Sequence, residues 1–268
     1  MKFKVISWNL KYKKYNRDQI KLLSSIDADI FLLQEVHKDF FRNLKKTGSF
    51  NWSTFSLRHR PPKPGEGIKK NLGCAILGKT GKFLESYLLE TVKFPERTLI
   101  AKVELESTIF TFCSFHIPPG ASWKEIKPET MKLISSWLRD NEEKTVFGID
   151  ANTPKTDHPI YRKNEWWWKD EPILMGHNPL HELKDVYRIY LNKNPEIYEK
   201  IVRKRPEGPL AVSYRRGTKA KVPCRYDFIY ATADLKQLFV DYCYDKATNA
   251  GSDHAIVLAE LLFDNYTK

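Results

Sequence analysis

Short apolar runs of this sequence end on side chains that can bind a metal ion or transfer a proton. Strand-length runs end at Asn9, Glu35, His116 and Asp150. A rigid sheet fixes the position of residues at its strand ends and leaves them accessible to a ligand. Taken singly, each is also explained as a turn residue or a helix cap. Glu35 follows a run predicted to be buried, so its carboxylate requires a partner, and a metal ion is one option.

The order of strands and helices favours a fold of two packed sheets. Asn16 is predicted to cap a helix whose apolar face includes Ile20, Leu23 and Ile26. Strands are predicted at 2–9, 30–35, 72–77, 98–106, 108–115, 144–150, 224–232 and 254–263, helices also at 123–141 and 181–191, and irregular chain over 58–71 and most of 151–221. A tight hairpin is expected at Ser107. Strands that follow one another directly favour an α+β arrangement of two packed sheets flanked by helices over a parallel, doubly wound sheet.

Composition indicates an ordinary globular protein. Hydrophobic residues make up 41% and charged residues 29% of the chain, which excludes a disordered segment. No repeat or Gly/Ser linker divides it, so we predict a single domain over residues 1–268. No apolar run approaches the roughly 20 residues that cross a bilayer, and the strand-like pattern of residues 1–8 predicts that the protein is not secreted. We therefore expect a cytoplasmic protein without stable membrane insertion.

The cysteines occur in apolar, strand-like runs and not in a short Cys-x-x-Cys spacing. They are Cys74, Cys113, Cys224 and Cys243. Buried, reduced thiols are therefore favoured over disulfides or a zinc site.

Two further groups of polar residues stand at or inside predicted strands. Asp150 and Asn152 are one residue apart, so extended backbone would direct both side chains to one side; an Asx turn before Pro154 is the alternative for Asn152. Asp227 interrupts an apolar strand and, when buried, requires a partner such as a histidine. Asp253 and His254 precede the last strand, where a turn acid and a strand-end histidine are the alternatives.

Five segments of the chain resemble the signature segments of the endonuclease/exonuclease/phosphatase superfamily, in the same order. They are Ile6–Asn9, Leu32–Glu35, Gly148–Asn152, Arg225–Ile229 and Ser252–Ala255, and they span almost the whole chain. This superfamily includes abasic-site endonucleases, pancreatic-type deoxyribonucleases, sphingomyelinases and inositol polyphosphate phosphatases. The resemblance implies a four-layer α/β/β/α sandwich, with two mainly antiparallel sheets face to face and helices outside. It also implies a magnesium-dependent phosphoester hydrolase.

The resemblance also implies a role for each residue of the site. Glu35 would be the main metal carboxylate, with Asn9 and Asp253 as direct or water-mediated ligands of Mg²⁺, for which Mn²⁺ can substitute. Among the implied catalytic residues, Asp150 orients or deprotonates the attacking water and Asn152 holds a phosphate oxygen. His254 contacts the scissile phosphate and is positioned by Asp227. His116 is the remaining implied catalytic residue. The Asp227 carboxylate would favour the charged form of His254.

His116 distinguishes between branches of this superfamily. Abasic-site endonucleases usually carry tyrosine at the matching position, whereas a histidine there resembles the deoxyribonuclease, sphingomyelinase and phosphatase branches. In those branches it can assist the leaving group as a general acid. The chain departs from the family pattern at Ile149, where glycine usually precedes the aspartate; Gly148 lies one place earlier.

The formal net charge of +12 favours polyanionic partners, nucleic acid before an anionic membrane surface. A basic segment over 200–225 precedes the Asp227 strand and is predicted to track a phosphate backbone. The residues predicted to bind substrate there are Arg215, Arg216, Lys219, Lys221 and Arg225. A second basic loop contains Arg58, His59, Arg60, Lys63, Lys69 and Lys70. Solvated surface charge is the alternative for both.

Trp166, Trp167 and Trp168 are consecutive, and three consecutive aromatic side chains cannot all face one way. Core packing or anchoring of a lid is therefore preferred to a base-stacking platform.

The leading hypothesis is a metal-dependent nuclease that hydrolyses DNA phosphodiester bonds and cuts internally. Its basis is the net charge, the two basic segments and His116. The first alternative is a phosphatase or phosphodiesterase for inositol phosphates or phospholipid head groups, which basic loops also suit. The second is a non-catalytic nucleic-acid-binding module on the same fold, against which the full set of eight polar residues argues. No protein partner is predicted.

Overall fold

The computed structural model of the chain describes residues 1–62 and 71–264. Its strands are β1 Lys2–Asn9, β2 Ile30–His37, β3 Trp52–Phe55, β4 Leu72–Gly78, β5 Lys82–Leu88, β6 Thr98–Leu105, β7 Thr108–His116, β8 Lys144–Asp150, β9 Lys184–Asp185, β10 Tyr214–Arg216, β11 Val222–Cys224, β12 Asp227–Ala231, β13 Lys236–Cys243 and β14 Ile256–Leu262. Its α-helices are α1 Arg17–Ser25, α2 Lys38–Lys45, α3 Ser56–His59, α4 Gly120–Trp123, α5 Ile126–Asp140, α6 Pro172–Met175, α7 Val186–Lys193, α8 Pro195–Lys204 and α9 Tyr244–Asn249. Short 3-10 helices cover Pro95–Arg97, Tyr161–Lys163 and Thr218–Ala220.

These strands form two six-stranded sheets and a small ribbon. The first sheet has the order β13-β14-β1-β2-β4-β3, the second β5-β6-β7-β8-β12-β9, and β10 pairs with β11 alone. One pair in each sheet is parallel, β1 with β2 and β7 with β8, and the other pairs are antiparallel. The predicted hairpin between β6 and β7 is confirmed. Its turn residues have φ of 45° at Glu106 and 65° at Ser107, typical of tight hairpins.

Three apolar layers separate four layers of secondary structure. On β1, Phe3 and Val5 belong to the core between the sheets, whereas Ile6 and Trp8 face the helices outside the first sheet. Helices α1 and α2 cover that outer face, and α5 and α6 cover the outer face of the second sheet. Side chains on a strand alternate between its faces, so the period of two in the sequence divides each strand between two cores. The predicted α/β/β/α sandwich is confirmed.

Gly148 allows the two sheets to approach closely beneath the strand ends. A Cβ atom at this position would lie 2.6 Å from Ser7 Oγ and 3.0 Å from Leu32 Cβ, both on the opposite sheet. Any larger residue on this inward-facing position of β8 would push the sheets apart. Ile149, the next residue, points the other way into the core under α5.

Several predicted elements differ in their bounds. The helix predicted over 181–191 begins at Val186, because the Asp185 side chain caps it through the N–H groups of Tyr187 and Arg188. Helix α8 and ribbon β10–β11 lie in a segment predicted to be mostly irregular. The strand predicted over 224–232 is split, since Ser213 Oγ accepts the N–H groups of Tyr226 and Asp227 before β12 begins.

The helix predicted over 123–141 is two helices, broken at Lys124 where φ is 36°. The loop predicted over 58–71 begins within α3, which ends at His59. Its residues 63–70, including Lys63, Lys69 and Lys70 of the second basic loop, lie outside the described residues. The prediction of a single domain stays a prediction.

All four cysteines are free thiols, and Cys74, Cys113 and Cys224 are buried, as predicted. Burial raises the pKa of Cys74 to about 12, which favours the neutral thiol. None of the helices within 1–62 and 71–264 is long and apolar enough to cross a membrane.

Candidate active site

The strand ends singled out in the sequence meet at one edge of the sandwich. Asn9 ends β1 and lies opposite Gln34 of the parallel strand β2. In the second sheet, Asp150 lies opposite both His116 and Asp227. A hydrogen bond of 2.8 Å from Asn9 Nδ2 to Asp150 Oδ2 joins the two sheets at this edge. The fold therefore brings Asn9, Glu35, His116, Asp150 and Asp227 to one site.

Glu35 lies on a β-bulge. Strand β2 was predicted to end here, but it continues to His37, and its pairing with β4 shifts register between Leu33 and Val36. Glu35 has a φ of 51°, a left-handed conformation that costs a non-glycine residue roughly 1–2 kcal/mol. Such strain is common at functional sites, where a bulge re-aims a side chain. Burial raises the pKa of the Glu35 carboxyl group, and the nearby positive charge of His254 opposes this.

Asp150 is almost completely buried between the sheets. Burial raises the pKa of its carboxyl group to about 7, while the charge of His254 lowers it and Asp227 raises it further. Its Oδ1 accepts the backbone N–H of Asn152 at 3.1 Å. A buried carboxylate with few donors, surrounded by other acids, is unfavourable unless a cation compensates it.

His254 and Asp227 form a buried hydrogen-bonded pair, as the sequence led us to expect. His254 Nδ1 lies 2.9 Å from Asp227 Oδ2 and 3.1 Å from Oδ1. Burial lowers the pKa of His254, but Asp227 and Asp150 outweigh this and raise it to about 10. The ring of Tyr214 covers the imidazole, with centroids 4.7 Å apart. One ring nitrogen is thus fixed by Asp227, and the geometry leaves the other for a ligand.

His116 has the opposite electrostatic setting. Its Nε2 lies 3.5 Å from Glu35 Oε1 and 3.7 Å from Asp150 Oδ2. Burial, followed by the charges of Arg97 and His254, lowers its pKa well below the usual value of histidine. The site thus contains one imidazole that favours its charged form and one that favours its neutral form.

Asn152 and Asp253 are placed less directly. Asn152 has a φ of 51°, so its backbone is not extended and the argument that its side chain faces the same side as Asp150 does not apply. An Asx-type turn forms instead, in which the Asp150 side chain accepts the backbone N–H of Asn152. Its Nδ2 donates to the carbonyl of Ile117 at 3.0 Å. Asp253 is partly exposed, and its Oδ2 lies 3.2 Å from Lys11 Nζ.

The predicted substrate-binding residues divide into two groups. Arg215 is exposed and Arg216 partly buried on β10, and Lys219 and Lys221 are exposed at the tip of the β10–β11 ribbon. Arg225 is different: its side chain is fully buried, and Nη1 and Nη2 donate to the Asp185 carboxylate at 2.8 and 2.7 Å. The prediction that Arg225 contacts substrate is therefore wrong, since the buried acid already occupies its guanidinium.

The tryptophan segment has a mixed role. Trp166 packs against the core outside the second sheet, in agreement with the preferred prediction. Trp167 is 43% exposed, and the guanidinium of Arg216 lies 5.1 Å from its ring centroid. The backbone N–H of Trp167 donates to Glu171 Oε2 at 2.9 Å, and this hydrogen bond anchors the segment.

Two functional candidates carried no signal in the sequence. Arg97 ends the 3-10 helix before β6, and its buried Nη1 has no hydrogen-bond partner in residues 1–62 and 71–264. Its charge acts on both Glu35 and His116. Lys127, on α5, is fully buried with Glu171, 2.6 Å away, and donates to the carbonyl of Asn152 at 2.8 Å. In the sequence, an isolated basic residue in a short turn or on a helix resembles an ordinary surface position.

The site offers two ways to bind a metal ion. One ligand atom from each of Asp150, Asp227 and His254 lies within 4.8 Å of the other two. The predicted set of Glu35, Asn9 and Asp253 offers oxygen atoms only, which are the ligands that Mg²⁺ prefers.

No protein-family model and no curated protein matches this sequence. Among solved structures, it is similar to an endonuclease/exonuclease/phosphatase from Bacteroides vulgatus, with a TM-score of 0.67, 17% identity and coverage of 98% of this chain and 100% of the other. It is also similar to D. rerio TDP2 complexed with single-strand DNA product, with a TM-score of 0.66, 16% identity and coverage of 97% of this chain and 99% of the other. For the human Nocturnin catalytic domain with bound sulfate, the TM-score is 0.65, the identity 15% and the coverage 98% of this chain and 95% of the other. The chain therefore has the endonuclease/exonuclease/phosphatase fold that its sequence segments predict.

Proposed function

We propose that this protein is a magnesium-dependent phosphodiesterase that hydrolyses DNA. The observation that carries the proposal is the meeting of four polar residues with the Asp227–His254 pair at one edge of the sandwich; the four are Asn9, Glu35, His116 and Asp150. Asp150 ends β8, Asp227 begins β12 and His254 lies two residues before β14. A cluster of buried ionisable groups drawn from separate parts of the chain is costly to fold, and such clusters are common at functional sites.

The charges of the site suit a divalent cation. Glu35, Asp150 and Asp227 supply three carboxylates. The positive charges that oppose them are those of Arg97 and of His254, whose raised pKa favours its charged form. We assign the metal to Glu35, with Asn9 and Asp253 as direct or water-mediated ligands, and Mn²⁺ as a substitute for Mg²⁺. Asp227 is less suited, because its carboxylate already accepts the hydrogen bond of His254.

A bound divalent cation would polarise the phosphate and neutralise its developing charge. Asp150 would orient a water molecule and accept its proton as the water oxygen bonds to phosphorus. The bond from phosphorus to the leaving oxygen then breaks, and that oxygen takes up a proton from solvent. His116, whose neutral form is favoured, is assigned to assist this leaving oxygen by donating a hydrogen bond from its ring N–H.

Three further residues would hold the phosphate. His254, fixed at Nδ1 by Asp227, presents its other nitrogen to a non-bridging oxygen, and the second amide hydrogen of Asn152 is available for another. Arg97 Nη1 is buried without a partner in the described part of the chain, which suits an anion that arrives with the substrate. Each interaction strengthens as charge develops on phosphate.

DNA is the proposed substrate because of charge and of one structural relative. Arg215, Arg216, Lys219 and Lys221 lie on a ribbon whose Tyr214 covers His254. Such a ribbon can follow a phosphate backbone beside the scissile bond. D. rerio TDP2, which has this fold, has been solved with single-strand DNA product.

The test is a cleavage assay on labelled single-stranded, duplex and plasmid DNA, with Mg²⁺ and after chelation with EDTA. We expect cleavage that EDTA abolishes and that added Mg²⁺ or Mn²⁺ restores. Turnover of inositol phosphates or phospholipids without DNA cleavage would replace the proposal with the phosphatase alternative. DNA binding without hydrolysis of any phosphoester would instead support a non-catalytic module.

A further inference from the structure

A pocket with an aromatic floor lies beside α2, and the residues that line it are not among those assigned to catalysis. Its cavity volume is about 570 Å³, within the roughly 300–1,000 Å³ typical of ligand pockets. Phe41 and Phe55 form the floor, with their rings stacked at a centroid distance of 4.6 Å and both nearly buried. The guanidinium of Arg58 lies 5.3 Å from the Phe41 ring centroid. Because both rings are only 4% exposed, the exposed guanidinium of Arg58 above this apolar floor is the surface on which a planar base can stack.

The rim of this pocket is strongly basic. Lys38, Arg42, Lys45 and Lys46 line it and are exposed, in addition to Arg58. Arg42 has Asp39 as an ion-pair partner at 3.4 Å. Within 1–62 and 71–264 no carboxylate forms an ion pair with Lys38, Lys45 or Lys46. A cluster of unneutralised cations around a concave floor favours a ligand with several phosphate groups.

The pocket lies close to the proposed active site. Lys38 follows Glu35 by three residues, and consecutive Cα atoms are about 3.8 Å apart, so their Cα atoms are separated by at most roughly 11 Å. Helix α3 supplies Leu57 and Arg58 to the pocket and also contacts the 3-10 helix that ends at Arg97. Since a nucleic acid strand advances about 3.4 Å or more per nucleotide, the pocket is a few nucleotides from the scissile phosphate.

We propose that this pocket is a subsite for an unpaired nucleotide of single-stranded DNA, a few positions from the bond that is cut. The inference rests on the proposed function, because it takes the strand to continue from the same active site. A duplex keeps its bases stacked inside and presents only phosphates, whereas the pocket offers a floor for a base and a rim for its phosphates. An acidic peptide or a lipid head group would use the rim without the floor.

The test compares two double charge reversals in the full chain, both in an Asp150→Asn background that prevents cleavage. Arg42→Glu/Lys45→Glu changes the pocket rim, and Lys132→Glu/Arg139→Glu changes two exposed residues of α5, outside both basic segments, by the same total charge. Affinity for a labelled 12-nucleotide single strand is measured by fluorescence anisotropy over a range of salt concentrations. We expect the pocket variant to bind about tenfold more weakly, with the salt slope reduced by about 1.4, and the affinity of the α5 variant to change less than about twofold.

Equal losses in the two variants would overturn the subsite, since they would reflect net charge alone. An equal loss of affinity for duplex and single strand would also overturn it. Arg42→Gln/Lys45→Gln, which removes the charges without reversing them, should give a smaller loss in the same direction. A thermal unfolding midpoint close to that of the parent chain verifies that each variant is folded.

A second measurement separates this inference from the proposed function. With Asp150 restored, the pocket variant should hydrolyse bis(p-nitrophenyl) phosphate within about twofold of the parent rate, because this substrate is too small to reach the pocket. Its rate of cleavage of the 12-nucleotide strand should fall about tenfold at low substrate concentration. A parent chain that cleaves DNA, with unchanged cleavage in the variant, overturns the subsite alone. A parent chain that hydrolyses no phosphodiester overturns the proposed function.

Discussion

Two of the clusters of buried ionisable side chains within 1–62 and 71–264 differ in how their charges are balanced. In the first, Arg225 pairs with Asp185, and Arg188 pairs with Asp157. Arg225 Nε also donates to the Tyr242 hydroxyl at 2.7 Å. Two cations thus face two anions, and the cluster joins β9, α7 and the segment before β12. This pairing is typical of a structural network.

The second cluster is the candidate active site, where charges and hydrogen bonds are left incomplete. Burial, together with the charge of Asp227, raises the pKa of Asp150 to about 7, and Arg97 Nη1 lacks a partner in the described ranges. Glu35 is held in a left-handed conformation. The first cluster should therefore matter chiefly for folding, and the second chiefly for binding and catalysis at a cost in stability.

The largest effect should come from Asp150→Asn, which removes the proposed proton acceptor and keeps the size of the side chain. We expect kcat/KM for a phosphodiester to fall about 10³- to 10⁴-fold, equivalent to about 4–5 kcal/mol. The free energy of unfolding should stay the same or rise, because a crowded buried carboxylate is removed. Activity near that of the parent chain would contradict the assignment of Asp150.

Arg225→Met should do the reverse and act on stability. Asp185 would remain buried without its cation, and we expect the free energy of unfolding in urea to fall by about 3–4 kcal/mol. Arg215→Met is the matched control, since Arg215 is exposed and should change stability by less than about 0.5 kcal/mol. Similar unfolding curves for the two variants would remove the distinction between the clusters.

Arg97→Met tests whether a cation with a buried, unpartnered Nη1 belongs to the site. The substitution removes a group proposed to bind phosphate, and kcat/KM should fall about 10²-fold, or about 2.7 kcal/mol. Stability should fall much less than for Arg225→Met, because Nη1 forms no hydrogen bond in the described part of the chain. Steady-state kinetics and urea unfolding of the same preparations separate these outcomes, and a loss of stability without a loss of activity would place Arg97 with the structural cluster.

The sequence predicted the sandwich and the residues at its strand ends because both depend on local pattern. Period-two alternation identified β1, and Asp227 was recognised because a carboxylate inside an apolar strand requires a partner. Arg225 was assigned wrongly, since a basic residue in a basic segment gives no sign that Asp185, 40 residues away, binds it. Arg97 and Lys127 were missed for the same reason: their surroundings come from contacts that are distant in sequence. The bulge at Glu35 also depends on tertiary pairing with β4.

The smallest effect concerns Lys11, which links the site to the solvent through Asp253. Both side chains are partly exposed, and such pairs contribute about 0.2–1 kcal/mol, so Lys11→Met should barely change the unfolding free energy. If Asp253 helps to bind the metal, however, release from Lys11 should lower the Mg²⁺ concentration for half-maximal activity by up to about fivefold. A titration of activity against Mg²⁺ measures this. An unchanged midpoint would remove Asp253 from the metal site and leave Glu35 and Asn9 as its protein ligands.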